Sequence, residues 1–404
     1  LIPSCQKRRA MKTDVTIVGA GPVGVITALR LKRMGIDCAI FEKSEELNKD
    51  LRASTFHPPT LDYLDTLNLS APLIERGLIS PTWQVRFHET HEKAEFDLSL
   101  ISDETSHPYR LQCEQFHLCE LAETALMNEG VKIHRGWVGT KITDQGDKVS
   151  VEFDTPEGKV LVNSRFLVGA DGSRSVVRKS VDPDFKGLMY PETTILATST
   201  FSFEDHLPGL SNVNYIWWEK GTFSLLRLKH LWRCSLYPDN GESVEDALKP
   251  SSIQKKIDRI VPDRGPFAIG DIRPYRIYRL LVKNFRKGNI LLAGDAAHLN
   301  SPSGGMGMNG GLHDAFALSS ALKKALDGNT ESLERYAYVR RQIVNDDIIN
   351  QAHKNRNRMQ TLDISKRREA FDALRSKAEN PKLAREHLLK TSMIEGLRRS
   401  EELL

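Results

Sequence analysis

The chain has little cysteine, no long apolar run and almost no net charge, and each shortage removes a class of function. Its five cysteines, Cys5, Cys38, Cys113, Cys119 and Cys234, form an odd, scattered set with no Cys-x-x-Cys pair. That pattern excludes a disulfide framework and a zinc-ligand spacing, and it points to a reducing, cytoplasmic setting. No stretch approaches the roughly 18 consecutive apolar residues of a membrane span. A formal charge of +4 over 404 residues argues against nucleic acid, which calls for a concentrated basic stripe. Internal repeats and low-complexity tracts are missing too. The segment Leu1 to Ala10 carries Lys7, Arg8 and Arg9 without an apolar core, so it reads as an upstream extension rather than a signal peptide. What is left is a composition of 40% hydrophobic and 27% charged residues, ordinary for a globular enzyme, in a length that suits two domains.

The first informative stretch is a β-branched run, Asp14 to Val18, followed by Gly19-Ala20-Gly21-Pro22-Val23-Gly24. The spacing predicts a buried strand, a tight turn, a helix to about Met34 closed by Gly35, and a second strand from Asp37 to Phe41 that ends at Glu42. In such a unit the first glycine permits the turn, the second lets the backbone approach a pyrophosphate, and the third allows close helix packing. The helix N-terminus offers free N–H groups to the anion. Glu42 is placed to accept the ribose hydroxyls.

Two further motifs each follow an apolar strand. One is Val168-Gly169-Ala170-Asp171-Gly172-Ser173-Arg174-Ser175, with Arg178 beyond it. The other is Gly294-Asp295-Ala296-Ala297-His298, extended by Pro302 and the run Ser303 to Asn309. Ahead of the first of these, helices are expected at Thr60 to Leu67 and Phe116 to Glu129, a hairpin at Val149 to Phe153 and Lys159 to Val162, and a strand at Phe166 to Val168. Strands are also expected at Asn212 to Trp218, Thr222 to Leu228 and Leu231 to Tyr237. A buried strand, Ile290 to Ala293, then a glycine loop and a helix reaching Gly328, resume the first domain. Beyond Glu331 the chain reads as charged helix with Pro381 as a breaker, a packing appendage.

Three motifs in this order resemble the single-component FAD-dependent aromatic-ring hydroxylases, the para-hydroxybenzoate hydroxylase-like flavoprotein monooxygenases, from about Lys12 to Tyr338. The resemblance implies an α/β chain: a Rossmann-like FAD-binding domain interrupted by a mostly antiparallel β-sheet substrate domain, with a C-terminal helical tail. The segments are 11–81, 110–180 and 276–340 for FAD, 82–109 and 181–275 for substrate, and 341–404 for the tail. It implies that FAD is held by Gly19, Gly21, Gly24, Glu42, Arg52, Gln112, Asp171, Asp295, Gly307, Met308 and Asn309. NADH or NADPH would approach transiently near Asp171 and Arg174, with Arg178 and Arg276 as further contacts. Glu45 and Glu46 would repel a 2′-phosphate, which favours NADH.

The implied reaction is hydroxylation of a small electron-rich aromatic or heteroaromatic ring with O2 through a flavin hydroperoxide, in a monomer or homodimer. For the substrate, the resemblance places a carboxylate on Arg227, with Arg233 six residues on; alternation puts Arg227 on one face with Phe223 and Leu225. Tyr215, Trp217, Tyr190 and Pro302 are the candidate ring contacts. His57 and Pro302 are the candidates nearest the flavin-centred chemistry, although a structural role suits His57 and His298 equally. A flavin reductase, a halogenase and a non-catalytic FAD-binding scaffold are the alternatives. Halogenases carry Trp-x-Trp-x-Ile, and this chain has only the adjacent Trp217-Trp218.

Overall fold

The computed structural model describes residues 9–404 apart from 52, 182 and 183. Strand Arg9–Val18 lies at the centre of a sheet, flanked in parallel by Gly158–Gly169 on one side and Cys38–Glu42 on the other. Ile290–Leu292 and Ile133–Arg135 continue it outwards, again in parallel. A parallel sheet covered on both faces needs continuous apolar strands, and Val15, Ile17, Ile40, Phe41, Leu167 and Val168 are all fully buried. Helix Pro22–Arg33 follows the first strand, with Pro22 in the first turn, where its missing N–H costs nothing. Just beyond its end Gly35 adopts φ 76°, a left-handed conformation that suits glycine.

The sequence splits one strand in two. The hairpin arm at Lys159 and the buried piece at Phe166 are a single strand, Gly158–Gly169. Its middle keeps the alternation, with Val162, Ser164 and Phe166 buried and Arg165 exposed. One edge of this strand pairs antiparallel with Val149–Thr155 while the other runs parallel to Arg9–Val18. The expected helices stand at Pro58–Asp65 and Gln115–Asn128.

A second sheet has the order His298–Leu299, Ile269–Leu281, Lys186–Ser199, Trp232–Leu236, Gly221–Arg227, Val213–Trp218, Thr82–Phe87, Lys93–Asp97. All of its pairs are antiparallel except Val213–Trp218 with Thr82–Phe87. Strand periodicity gives it two apolar faces. Phe223, Leu225, Trp232 and Cys234 pack in a cluster with Ile253 and Ile257 of helix Pro250–Ile260. Val85, Val213 and Trp217 pack instead with Phe371, Leu374 and Leu388 of the C-terminal helices.

A small third sheet of Thr55–Phe56, Arg110–Gln112 and Leu78–Ser80 joins the two. Thr55 packs against Gly305, and the Arg110 guanidinium lies over the Trp83 ring at 5.0 Å.

The tail forms helices Glu331–Ile343, Asn350–Gln360, Ile364–Glu379, Pro381–Thr391 and Ile394–Leu403, with a π-helical stretch Val344–Ile349 between the first two. Pro381 breaks the helical run as expected: helix Ile364–Glu379 ends just before it, and Pro381 opens the next helix. The Asn380 side chain caps the Lys382 and Leu383 N–H groups, and proline is well tolerated in a first turn. The tail is also more than an appendage, because Met359 and Phe371 belong to the core of the second sheet.

Candidate active site

The three glycine motifs leave the carboxyl ends of neighbouring parallel strands, where ligands bind in open α/β sheets. Their backbones are stitched side by side: the Ala170 N–H donates to Val18 O at 2.8 Å, and the Ala293 N–H donates to Gly169 O at 3.0 Å. Gly19 has φ 104°, and a Cβ there would meet Ala170 O at 2.3 Å. At Gly24 a Cβ would strike Gly19 O at 1.8 Å, whereas at Gly21 it would meet nothing within 4 Å. Gly19 and Gly24 therefore serve the fold, and Gly21 borders open space. Helix Pro22–Arg33 has no side-chain cap, so its N-terminal N–H groups and the positive end of its dipole face that space. Glu42 sits beside the turn, accepting from the Ala20 N–H at 2.8 Å and the Ser44 N–H at 2.9 Å.

The second helix N-terminus comes from the late motif. The sequence places a helix after the run Gly304 to Gly311, but helix Met306–Leu326 begins inside it. Gly310 and Gly311 are packing glycines: a Cβ would meet Ile348 Cδ1 at 2.5 Å and Val23 Cγ2 at 2.8 Å, respectively. Gly305, at φ 67°, leads into the helix, which again lacks a side-chain cap. Gly307 and Met308 occupy its first turn. Asp295 is exposed at the end of the neighbouring strand.

Gln112 is buried, with Oε1 accepting from the Thr55 hydroxyl at 3.0 Å and Nε2 without a partner. An orphaned buried donor is costly unless a ligand satisfies it. This donor, the open space at Gly21 and the two uncapped helix starts fit a dinucleotide carrying a polar ring system. Arg52 lies outside the described residues.

Other expected contacts are engaged elsewhere. The Asp171 carboxylate accepts from the Ser175 hydroxyl and from the Val176 and Val177 N–H groups, capping helix Val176–Val181. Burial raises its pKa. Arg174 is exposed beside it. Arg178 is buried and ties two motif loops together, donating to Ser173 O at 2.9 Å and Ala296 O at 3.3 Å. Arg276 is exposed on strand Ile269–Leu281. The Asn309 amide does not reach towards the ring space: it takes the His57 N–H at 2.9 Å and donates to Thr55 O and Gly305 O. It thereby fixes the start of helix Met306–Leu326 against the third sheet.

A small, partly open cavity beside this edge is lined by Trp83, Arg110, Tyr215, Ser303, Gly304, Asn355, Arg358, Met359 and Thr391. Only Tyr215 among the expected ring contacts is there. Trp217 is fully buried in the core, with Nε1 donating to Met359 O at 3.2 Å. Tyr190 bonds the His353 ring and lies under Arg356. Pro302 is exposed at the loop turn, accepting from the Gly305 N–H at 2.9 Å, while the next two residues line the cavity.

Arg227 is misplaced by the sequence reading. The face it shares with Phe223 and Leu225 packs away from the cavity, and its guanidinium pairs with Glu204 at 2.8 Å near the surface. Arg233 projects from the opposite face and donates to the Ser54 hydroxyl. His57 is buried, bonded to Gly304 O at 2.8 Å. Burial, assisted by the Arg110 charge, pushes it down to about 3, so it stays neutral near pH 7 and its Nδ1 is left without a partner. His298 is likewise buried, against Asp314 at 2.8 Å.

Arg110 and Arg358 were not singled out from sequence. Alternation from Gln112 would have found Arg110, because the two share a face opposite the core residue Leu111. No periodic signal distinguishes Arg358 among the many charges of its helix.

A dinucleotide edge beside a small, arginine-lined cavity suits an oxidoreductase that works on a small molecule held next to its cofactor. The chain belongs to the FAD binding domain family, whose model matches residues 12–351, and within it to the FAD-dependent aromatic-ring monooxygenases. It is similar to para-nitrophenol 4-monooxygenase of Pseudomonas sp. (strain WBC-3), 29% identical over 81% of this chain and 83% of that one. It is equally similar to 6-hydroxy-3-succinoylpyridine 3-monooxygenase HspB of Pseudomonas putida (strain DSM 28022 / S16), 29% identical over 80% and 83%. The crystal structure of p-nitrophenol 4-monooxygenase PnpA from Pseudomonas putida DLL-E4 superposes with a TM-score of 0.89 at 26% identity, covering 96% of this chain and 98% of that one. That likeness includes the tail, which the family match leaves out.

Proposed function

We propose that this chain hydroxylates a single electron-rich aromatic or heteroaromatic ring, using NADH or NADPH as reductant and O2 as oxidant. The observation that carries the reading is a loop shared by the cavity wall and a helix start. The loop that leads into the uncapped helix Met306–Leu326 supplies Ser303 and Gly304 to the cavity wall, so a ring in the cavity lies next to whatever that helix start holds.

When bound, FAD supplies the redox chemistry, taking hydride from the nicotinamide and activating O2. The protein's own groups bind, orient and shield. Gly21 and the start of helix Pro22–Arg33, on the turn that Gly19 and Gly24 shape, would hold the pyrophosphate, with Glu42 at the ribose and Asp295 at the ribityl chain. Gln112 Nε2 and the backbone N–H groups at Gly307 and Met308 would be the donors to the ring system, where a positive helix end would stabilise negative charge. Asp171 shapes the loop that presents Arg174 to the nicotinamide cofactor. The exposed acids Glu45 and Glu46 favour NADH over a phosphorylated cofactor. Trp83, Tyr215 and Met359 exclude water from the ring.

The segments 11–81, 110–180 and 276–340 serve FAD in this reading, and 82–109 and 181–275 serve substrate together with 341–404. Cys38, Cys113, Cys119 and Cys234 are buried and form no disulfide, which supports a cytoplasmic enzyme; monomer and homodimer are both compatible with the reading. Among the described residues no helix is long and apolar enough to cross a membrane.

The test is a panel of phenols, pyridinols and aromatic acids given to the FAD-loaded protein with NADH. Substrate-stimulated NADH oxidation, matched by oxygen uptake and a hydroxylated product, is the expected result. NADH oxidation without oxygen uptake would leave a reductase instead.

A further inference from the structure

We propose that Ser400, acting through Arg340 and Asp314, is a positioning residue for the cofactor: it holds the Gly294 turn in the shape that receives FAD. The proposal rests on the assignment of that turn to FAD, and it adds a contributor from helix Ile394–Leu403, which lies outside the family match.

Its basis is a run of hydrogen bonds that crosses the buried interior from one helix to the turn. Arg340 Nη1 donates to the Ser400 hydroxyl oxygen at 3.2 Å, Nη2 to Gly310 O at 3.3 Å and Nε to Asp314 Oδ1 at 2.8 Å. The other Asp314 oxygen accepts the Gly294 N–H at 3.0 Å. Arg340 and Asp314 are fully buried and Ser400 is 1% exposed, so bulk water offers none of them an alternative partner. A guanidinium is planar, with its donors fixed in one fork, and rotating it to follow one acceptor takes it away from the others. Ser400 therefore helps to set where the Asp314 carboxylate stands, and that carboxylate sets where the turn begins.

The turn is wedged against both uncapped helices. Gly294 has φ 59°, and a Cβ there would meet Val23 Cγ2 at 2.8 Å. A Cβ on Gly311 would meet that same methyl at 2.8 Å and Gly294 Cα at 3.1 Å. Val23 lies in the first turn of helix Pro22–Arg33, and Gly311 lies in helix Met306–Leu326. A displacement of Gly294 is thus felt on both elements that offer free N–H groups to the dinucleotide.

Helix Ile394–Leu403 also has anchors of its own. Ile394, Leu397 and Ser400 follow at three-residue spacing on its buried face, with Ser400 as the polar member. Arg399 pairs with Asp347, Tyr63 donates to Glu401 at 2.5 Å and Arg335 to Leu403 O at 2.6 Å. These bonds involve neither Arg340 nor Asp314, which makes them controls. Coupling between sites is reciprocal. If the Ser400 link favours FAD, bound FAD must favour the docked helix by the same factor, and a serine placed there only to pack would show no such effect.

The experiment uses the full chain. Hydrogen exchange read by mass spectrometry on the wild-type protein, with and without FAD, should show exchange in 394–404 slowed about fivefold or more by FAD, the lower end of typical coupling between sites. Exchange in helix Pro250–Ile260, on the far face of the second sheet, should be unchanged. In flavin-fluorescence titrations at a temperature where each apoprotein is folded, Ser400→Ala should weaken FAD by about fivefold or more. Glu401→Ala should weaken it by less than about twofold, as for an independent site. In an Arg340→Lys background, which keeps the charge and loses the fork, Ser400→Ala should cause no further loss. Melting curves check that each variant is folded, and the exchange measurement requires no variant.

Exchange in 394–404 that FAD leaves unchanged, or slows no more than in helix Pro250–Ile260, would overturn the proposal while leaving the cofactor reading in place. So would unchanged FAD affinity in Ser400→Ala, or an equal loss in Glu401→Ala. A further loss on adding Ser400→Ala to Arg340→Lys would show that Ser400 does not act through Arg340, which also overturns it. A chain that takes up no FAD would remove the cofactor reading and the proposal together.

Discussion

Arg340 Nε and Asp314 Oδ1 lie 2.8 Å apart with both side chains fully excluded from solvent. The second Asp314 oxygen receives the His298 Nε2 and the Gly294 N–H, at 2.8 and 3.0 Å. One carboxylate thus anchors the late cofactor turn to two helices. Asp314→Asn should leave Arg340 uncompensated and cost about 3–5 kcal/mol, the scale for breaking a buried pair. Urea unfolding of the apoprotein measures it. A loss below about 1 kcal/mol would mean that the pair behaves like a surface bridge.

Gly21 and Gly24 should separate binding from folding. Gly21→Ala puts its methyl into space free of protein atoms within 4 Å, so the apoprotein should melt as the wild type does. FAD affinity should fall by roughly 1–3 kcal/mol, as for an added methyl in a filled site. Gly24→Ala drives a methyl into Gly19 O and should lower apoprotein stability itself. Melting curves with and without FAD distinguish the two, and an unchanged FAD affinity in Gly21→Ala would remove the pyrophosphate from that turn.

Arg227 pairs with Glu204 at 41% side-chain exposure, and such bridges are worth about 0.2–1 kcal/mol. Arg227→Ala should therefore leave the KM for an aromatic acid nearly unchanged, because Arg227 does not line the cavity. Tyr215→Phe should raise that KM, because its hydroxyl bonds Arg110 at the cavity wall, whereas Tyr190→Phe should not. Steady-state kinetics on the three variants decides this, and a large KM effect confined to Arg227 would restore the carboxylate to that side of the sheet.

His57 and His313 give the fold a pH signature. Burial, with help from Arg110 and Arg340 respectively, pushes both down from 6.5 to about 3. In the unfolded chain they take up protons below about 6.5, while the folded protein does not. Their contribution to stability is complete above about 6.5 and is lost as pH falls towards 3, at up to ~1.4 kcal/mol per pH unit for each. His313→Gln should flatten the slope by about one proton's worth between about pH 4 and 6. Urea midpoints at a series of pH values test it, and an unaltered slope would show that His313 is protonated in the fold.

The cofactor edge was legible in the sequence because its requirements are local. Gly19, Asp171 and Gly294 sit at strand ends that periodicity already marks, and each turn needs its residues in a fixed order. The cavity was less legible because its walls come from chain segments far apart. Arg227 has the right alternation and the wrong face, since which apolar face of a two-faced strand points inward depends on what packs there. Phe223 packs against helix Pro250–Ile260, and no local pattern states that. Arg358 became a wall residue only through the path of the tail over the second sheet.

That path has an evolutionary meaning. Asn355, Arg358, Met359 and Thr391 belong to helices lying beyond every glycine turn that serves the cofactor. On the proposed function, exchanging this stretch would change which molecules are admitted while leaving the glycine turns themselves in place. Selection could then retrain the enzyme on a new compound by rewriting a few dozen residues at the end of the chain, without passing through variants that have lost their flavin.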